Sequence, residues 1–542
     1  MKKTVKVIIA YPPIDQDKGT PLLSQNRQFQ YFNTPTYIYP MVPAYAASLA
    51  KQSGFDVVWM DGIAERKKYQ QWSQDLIDQN PNVVMIETKA PIIKNHWKII
   101  NELKEKLPKC SFVLVGDHVT WNPVESLDAC SVDFILTGGD YDFLLSDLLK
   151  SLSEKIPLPG GIWGRVGDDK VALDQEWVKY QTDAKEGKNK YWLSGPLRLE
   201  HNLDQLPFVD RVLTKWELYA YENGNYKYTP ATYMYSGRDC WWNRCTFCVW
   251  DHTINPRGSY RRFSPERLFT EVKHVVDEFG VKEIFDDAGT LFIGPDLKKF
   301  CELMIDSGYN KKVVYGCNMR LNALAQEYYD LMANAGFRFI LYGMESANQA
   351  TLDRIDKGLR VEETENGVKM AKKAGLEPHI TVMLGYPWET EEMALNTINM
   401  AKNLFSKGFV DTMQATIVIP YPGTPLYKEC VEKEWFQCDP LDYEKFDMRS
   451  PVMKIPFSNE RLLELTQMLY SSFFTPKYIF RKIVSIRKPD DARFLINAAK
   501  KLLGHLLDFD KGDSKVKWLS PRFWLRATKS MFYNLMPKSP VR

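Results

Sequence analysis

Short apolar runs alternate with segments that are apolar on one side only, and this rhythm repeats through the first 150 residues. Val5–Ala10, Val57–Met60, Val83–Ile86, Phe112–Val115 and Phe134–Leu136 predict strands, and Ala44–Gln52 predicts a helix stopped by Gly54. Unbroken apolar runs of this length suit strands covered on both faces, so the pattern predicts an open, doubly wound (Rossmann-like) α/β sheet. Ligands of such sheets bind beyond the strand carboxyl ends. The sequence places Tyr11, Pro12 and Pro13 there, then Thr88 and Lys89, then Gly116, Asp117 and His118, then Gly138 and Gly139.

A second rhythm begins near residue 228. Strands are predicted at Thr229–Tyr235, Glu283–Phe285, Val313–Cys317, Phe337–Tyr342, Ile380–Leu384 and Thr412–Ile419, with helical segments between them. The first of these helices is clearly punctuated: Ser264 caps it, Pro265 opens it, Leu268, Val272, Val275 and Phe279 share one side, and Gly280 ends it. Six strands wrapped by helices predict a partial barrel, whose reactive loops lie at the strand carboxyl ends. Polar residues gather at those ends: Asp286 and Asp287, then Asn318 and Arg320, then Glu345 and Ser346. A ligand of mixed charge would suit them. The expected organisation is 1–150, a connecting region 151–227, the barrel 228–440, and a mainly helical region 441–542.

The loop after the first barrel strand carries Cys240, Cys245 and Cys248 in DCWWNRCTFCVWDH. Thiolates are the soft ligands that iron–sulfur clusters and zinc both select. A 4Fe-4S cluster takes four cysteines when closed, so three leave one iron open to a ligand that is not protein. Counting His252 as a fourth ligand gives the competing reading, a closed Cys3His zinc site in a binding protein.

From about Thr229 to Pro425 the chain resembles the radical S-adenosylmethionine (SAM) superfamily, in which a cysteine triad sits on the first loop of a partial (β/α)6 barrel. The resemblance implies that Cys240, Cys245 and Cys248 hold a 4Fe-4S cluster whose open iron chelates SAM. Reduction then yields methionine and a 5′-deoxyadenosyl radical. Phe247 matches the family's aromatic residue near the adenine. Arg320 and YGMES, which ends in Glu345 and Ser346, look like its SAM-contacting elements, while LGYPWET (384–390) and PYPGTP (420–425) resemble later strand-end motifs. The spacing departs from the family's usual C-x3-C-x2-C: here it is C-x4-C-x2-C, with Trp241, Trp242, Asn243 and Arg244 inside the first interval. A loop absorbs one residue at little entropic cost.

The N-terminal sheet before such a barrel resembles the cobalamin-binding domain of cobalamin-dependent radical SAM enzymes. YPP at Tyr11–Pro13 and GDH at Gly116–His118 match positions filled with similar residues there. The D-x-H-x-x-G motif of other cobalamin proteins is missing, and GGD at Gly138–Asp140 stands where relatives carry a glycine–glutamate pair. The resemblance implies C-methylation of an unactivated carbon through methylcobalamin, with SAM as both radical source and methyl donor. Cyclisation or carbon–carbon coupling without methyl transfer is the alternative within the same class. An electron donor such as flavodoxin or ferredoxin is implied as partner.

Composition fits this picture. A chain of 542 residues, 44% hydrophobic, can bury more than one core, and it holds no long apolar run. Clustered thiols among nine cysteines fit a cytoplasmic, reducing location. Charge is uneven: residues 471–542 carry 16 Lys plus Arg against 5 Asp, in a chain whose net charge is +3. Within this tail Phe494, Leu495, Ala498, Leu502, Leu503 and Leu506 fall at helical spacing, and Trp518, Phe523, Trp524, Phe532 and Tyr533 follow among Lys and Arg. Such a segment suits either an anionic inner-membrane surface, where it would help collect a lipid-like substrate, or a helical domain packed on the barrel. No recognised motif supports nucleic-acid binding.

Overall fold

In the computed structural model the apolar runs of the N-terminal region pair side by side. The structure describes all residues except 1–4, 15–17, 24–28, 33–34, 168–169, 175–178, 183–188, 471–472, 474 and 509–542. Strands β1 (Lys6–Tyr11), β2 (Asp56–Asp61), β3 (Val83–Thr88), β4 (Ser111–Gly116) and β5 (Phe134–Leu136) are parallel neighbours in the order β2-β1-β3-β4-β5. Helix α1 (Met41–Gln52) packs its alanine-rich face on them. The strands are buried along almost their whole length, as two-faced coverage demands.

The connecting region, which the sequence left without a role, extends this sheet. Strands β6 (Ile162–Arg165), β7 (Lys179–Thr182) and β8 (Asn189–Leu193) continue it antiparallel beyond β5, in the order β5-β6-β8-β7. Trp192, 2% exposed, lies across Gly164, where an added Cβ would stand 2.3 Å from its ring. A glycine there lets the large side chain close the sheet's end.

The second sheet holds β9 (Ala231–Met234), β10 (Glu283–Asp286), β11 (Val314–Met319), β12 (Phe337–Glu345), β13 (Glu377–Leu384) and β14 (Thr412–Ile417), all parallel and in sequence order. Sequential order with helices outside is the partial (β/α)6 barrel that the periodicity predicts. Helix α2 (Pro265–Phe279) begins where Ser264 accepts from the Arg267 amide at 3.2 Å and ends on Gly280 at φ 63°. Helices α3 (Asn459–Tyr470), α4 (Pro476–Val484) and α5 (Pro489–Asp508) form the C-terminal region. Leu502, Leu503 and Leu506 lie within α5, whereas Trp518, Phe523, Trp524, Phe532 and Tyr533 lie outside the described residues. No helix among the described residues is long and apolar enough to cross a membrane.

The carboxyl edges of the two sheets face one another, and a buried charge cluster holds them there. Arg238, two residues before Cys240, donates to Asp142 Oδ2 at 2.5 Å and to the Gly139 carbonyl at 2.5 Å. Asp140 accepts from Arg261 and lies 2.7 Å from His201 Nδ1. Burial pushes the Asp140 carboxyl up, but His201, Arg238 and Arg261 outweigh this and hold it below the usual range. At the opposite end of the barrel Arg338 bridges Glu283 and Glu377, and Lys227 joins Glu377 to Asp491 of α5.

Arg238→Met would leave the buried Asp142 carboxylate without its cation, and an expected loss of about 3–5 kcal/mol would appear in urea denaturation, with Arg238→Lys intermediate. The Glu377 carboxyl is pushed up by burial, but Arg338 and Lys227 overcome this and hold it at about 2, below the ordinary 4.5. A depressed acid stabilises the fold above its unfolded pKa and loses that contribution as pH falls through the folded one. The stability advantage of the wild type over Glu377→Gln is therefore expected to be full above pH 4.5 and to decline between 4.5 and 2, read as the difference of the two denaturation midpoints.

Candidate cluster and SAM site

Cys240, Cys245 and Cys248 stand on the loop after β9, at the barrel's carboxyl end. The Cys248 amide donates to the Cys245 carbonyl at 3.0 Å, a tight turn that keeps these two thiols together. The extra residue of the first interval is taken up by Asn243 at φ 47°, with Asp239 at φ 76°. Asn and Asp tolerate the left-handed region better than other side chains. Asn243 is then pinned by its Nδ2, which donates to Asp239 and, at 3.0 Å, to the Asn255 carbonyl.

A second loop, residues 355–358, clamps the cysteine loop from the barrel side. The Thr246 amide donates to the Ile355 carbonyl at 3.0 Å, Trp242 Nε1 to the Asp356 carbonyl at 2.7 Å, and Arg244 Nε to Asp356 Oδ2 at 3.0 Å. Gly358, at φ 59°, lies under the Trp242 ring, where an added Cβ would stand 2.1 Å from Cζ2. Arg320 stacks on Trp242 at 4.3 Å and donates to the Lys357 and Gly358 carbonyls.

These contacts bring cations to the thiols. Lys357 and Arg320 both act electrostatically on Cys245. Lys357 pairs with Glu345 Oε1 at 2.7 Å, and burial, which pushes its ammonium down, is outweighed by Glu345 and Cys245 so that it holds its proton more tightly than usual. Glu345 sits at φ 61°, just past a register shift in β12. Gly343 makes room for the pair, since a Cβ there would meet Glu345 Oε1 at 2.1 Å. Burial pushes the Cys240 thiol up to about 11 and Cys245 to about 12, so a metal must displace their protons on binding.

Among the described residues no three His, Cys, Asp or Glu side chains converge as one metal ion requires. His252 does not join the cysteines: its Nε2 is 3.1 Å from the Cys245 carbonyl oxygen, which corrects the Cys3His zinc reading. Backbone geometry decided this, because a histidine one helical turn past Cys248 satisfies the loop carbonyl instead. Lys357 and Arg320 act on Cys245, whereas burial and then the carboxyls of Asp251 and Asp239 push the Cys240 and Cys248 thiols up.

The remaining sequence-nominated residues divide by what they touch. Phe247 is buried, with Lys357 Nζ 6.0 Å from its ring centre. Ser346 donates to Glu389 Oε1 at 2.7 Å. Asp286 accepts from the Ser236 and Ala288 amides and from Tyr315, which ties β9, β10 and β11 together at their ends. Asp287 accepts from Asn318 at 3.2 Å. Lys357 and Trp242 escaped sequence reasoning; the only signal was a lysine–glycine step, Lys357–Gly358, after a short helix.

On the facing edge, the nominated residues of the first sheet are brought together, with most of their side chains engaged internally. Tyr11 donates to Glu87, Thr88 Oγ1 is 2.9 Å from His96 Nδ1, and Lys89 pairs with Asp117 at 3.1 Å. Burial pushes the Glu87 carboxyl up to about 7. Pro12 and Pro13 follow β1. His118 lies among Trp97, Trp121 and Tyr443, with Nε2 3.0 Å from Glu125. Gly116 and Gly138, at φ 125° and 85°, are close-packed: an added Cβ would meet the Thr88 carbonyl oxygen at 2.1 Å and Leu197 Cδ1 at 2.5 Å. Gly139 packs on Asn255, where a Cβ would meet Oδ1 at 2.4 Å. His118 Nε2 is committed to Glu125.

Residues 234–401 match the family model of the radical SAM superfamily. That stretch spans the barrel from the end of β9 to beyond β13, so most of the barrel matches the radical SAM model. Over 451 residues the chain is 26% identical to an uncharacterized methyltransferase, PH0819, of Pyrococcus horikoshii, covering 82% of this chain and 90% of that protein. It is 23% identical to the anaerobic magnesium-protoporphyrin IX monomethyl ester cyclase of Cereibacter sphaeroides, covering 81% and 68% of the two chains. Among solved structures it shares its fold with OxsB, a cobalamin-dependent SAM radical enzyme, at TM-score 0.63 and 14% identity over 98% of this chain and 75% of that one. The radical SAM methyltransferase TsrM of Kitasatospora setae, solved with cobalamin and a 4Fe-4S cluster, aligns at TM-score 0.58 and 14% identity over 92% of this chain and 100% of that one.

Gly358→Ala combines a left-handed backbone with a collision against Trp242 and is expected to cost about 1–3 kcal/mol. The protein should then take up several-fold less iron per chain on anaerobic reconstitution. Adding Trp242→Ala should recover part of the loss, a coupling that a thermal-melt double-mutant cycle reads directly.

Proposed function

We propose that the protein is a cobalamin-dependent radical SAM enzyme that methylates an unactivated carbon of a small-molecule substrate. One observation carries the reading: the three thiols and their two cations stand at the barrel edge that faces the carboxyl edge of a doubly wound sheet. Cys240, Cys245 and Cys248 would hold the cluster, with Phe247, Asp286, Asp287, Arg320, Glu345 and Ser346 as the SAM surroundings. The backbone around Tyr11–Pro13, Thr88–Lys89, Gly116–His118 and Gly138–Gly139 would hold cobalamin. When bound, the cluster supplies the electron that cleaves SAM and cobalamin supplies the methyl group, chemistry that no side chain offers at an unactivated C–H bond.

The chain's own residues position and seclude. Lys357 and Arg320 offset the negative charge of the thiolates, and the charge offset holds because both cations are desolvated with them. The Arg238 cluster fixes the distance between the two edges. Trp241 and Trp242 anchor the loop, with Trp241 Nε1 donating to the Leu291 carbonyl at 3.2 Å and Trp242 Nε1 to the Asp356 carbonyl at 2.7 Å.

Methyl transfer is supported by the relatives named methyltransferases, PH0819 and the cytidylyl-2-hydroxyethylphosphonate methyltransferase of Streptomyces wedmorensis among them. The cyclase relatives support a second reading, ring closure without methyl transfer. We further propose a cytoplasmic location, a flavodoxin- or ferredoxin-type electron donor, and contact with the inner membrane surface through the basic C-terminal region.

Anaerobically reconstituted protein is expected to be brown, with broad absorption near about 400 nm, to retain cobalt, and to cleave SAM under a strong reductant. Alanine at Cys240, Cys245 or Cys248 should reduce iron content and SAM cleavage to background. With methyl-labelled SAM and a substrate that turns over, label in the product supports methylation. Product without label selects the cyclase reading, and protein that binds no iron and never cleaves SAM rejects both.

A further inference from the structure

Inside the half-barrel lies a cavity of about 460 Å³ that the cluster site does not use. Its floor is a row across three adjacent strands, Leu341 of β12, His379 of β13 and Thr412 of β14, which are register partners. Phe339 and Met413 flank the row, and Phe473, Tyr478, Phe494 and Leu495 from the C-terminal region form the roof. The walls are therefore largely hydrocarbon and aromatic, with polar atoms confined to a few positions such as the His379 Nδ1–Thr412 Oγ1 pair at 2.8 Å. Leu341 stands four residues before Glu345, roughly 13 Å along the strand from the SAM end of the barrel.

The roof helix is unusual. Helix α4 buries no residue fully, and its apolar residues Ile479, Phe480, Ile483 and Val484 follow one another at helical spacing, with Phe480 70% and Val484 63% exposed. Ile486 and Ile496 extend this exposed apolar surface. Lys477, Arg487 and Lys488 are exposed beside it. Soluble surfaces do not ordinarily group large apolar side chains this way, and an apolar stripe rimmed by cations is complementary to an anionic lipid surface. Ile479 and Ile483 belong to both features, because they line the cavity and are also exposed. The cavity thus opens through the stripe.

We propose that the cavity holds the apolar part of an amphiphilic substrate resident in an anionic membrane, and that the stripe of α4 is the portal seated on that membrane. The inference deepens the proposed function and rests on it for the chemistry. An apolar chain entering past Ile479 and Ile483 would run along the inner face of β12 to β14 and present a carbon toward the Glu345 end, where only a radical can attack it.

Two measurements on the full-length, reconstituted protein test this. In sedimentation with vesicles, binding to phosphatidylglycerol–phosphatidylcholine mixtures is expected, with at least tenfold weaker binding to pure phosphatidylcholine. Phe480→Asp with Val484→Asp, both outward-facing, should lower the former at least fivefold while leaving the circular dichroism spectrum intact. In a fluorescence titration with a dansyl-labelled twelve-carbon fatty acid, saturable uptake is expected, and Ala498→Trp, which fills the cavity, should weaken it at least tenfold without changing iron content. Failure of the wild type to bind either vesicle, or uptake indifferent to Ala498→Trp, overturns the inference. If the wild type takes up no probe but still cleaves SAM, this inference falls and the reaction stands; if it takes up the probe but never cleaves SAM, the reaction falls.

Discussion

Arg238 joins the two halves of the molecule and does so within two residues of Cys240. Its guanidinium is buried between Asp142 and the Gly139 carbonyl of the first sheet while its own backbone belongs to the loop that carries Cys240. A buried cation costs several kcal/mol of desolvation unless carboxylates and carbonyls surround it, so the pairing specifies one relative placement of the sheets. Everything at the shared edge inherits that placement. The glycine at 139, which allows Asn255 to approach, and the aspartate at 140, which gathers Arg261 and His201, serve the same junction. Asp140 in the Gly138–Asp140 stretch thus meets three basic side chains across the contact, His201, Arg261 and Arg238.

The cysteine loop is held from its other side by residues 355–358, and this is how a longer first interval is tolerated. Asn243 takes the left-handed turn, Trp242 folds over Gly358, and Arg320 stacks on Trp242 while its donors reach the Lys357 and Gly358 carbonyls. The same short loop delivers the Lys357 ammonium beside Cys245. Packing and electrostatics are thus coupled: what fixes the loop's shape also sets a cation beside Cys245.

Much of the architecture was legible from periodicity. All eleven anticipated strands occur, five in the first sheet and six in the barrel: those of the first sheet are apolar runs buried on both faces, whereas β13 and β14 alternate buried and half-buried residues. The connecting region was not legible. Its strands are short and separated by charged stretches, and they join an otherwise parallel sheet antiparallel, β6 on Phe134–Leu136 and β8 on β6, so the strand–helix rhythm does not announce them. His252 was ambiguous for a similar reason: spacing allowed it to join the cysteines, and only the turn of the backbone sends it to a carbonyl.

What the sequence determined by itself was the order of the elements and the soft-ligand triad, since periodicity and thiol spacing are local properties that survive without knowledge of the fold. What only the tertiary structure decided was which distant groups meet. Lys357 reaches the thiols, Glu125 captures His118, and Asp142 receives Arg238 across 96 residues of chain. Such pairings depend on desolvation, which is set by everything packed around a group rather than by its neighbours in sequence. The same holds for the apolar chamber behind α4, whose walls come from strands and helices more than a hundred residues apart and enclose space only once they are folded together.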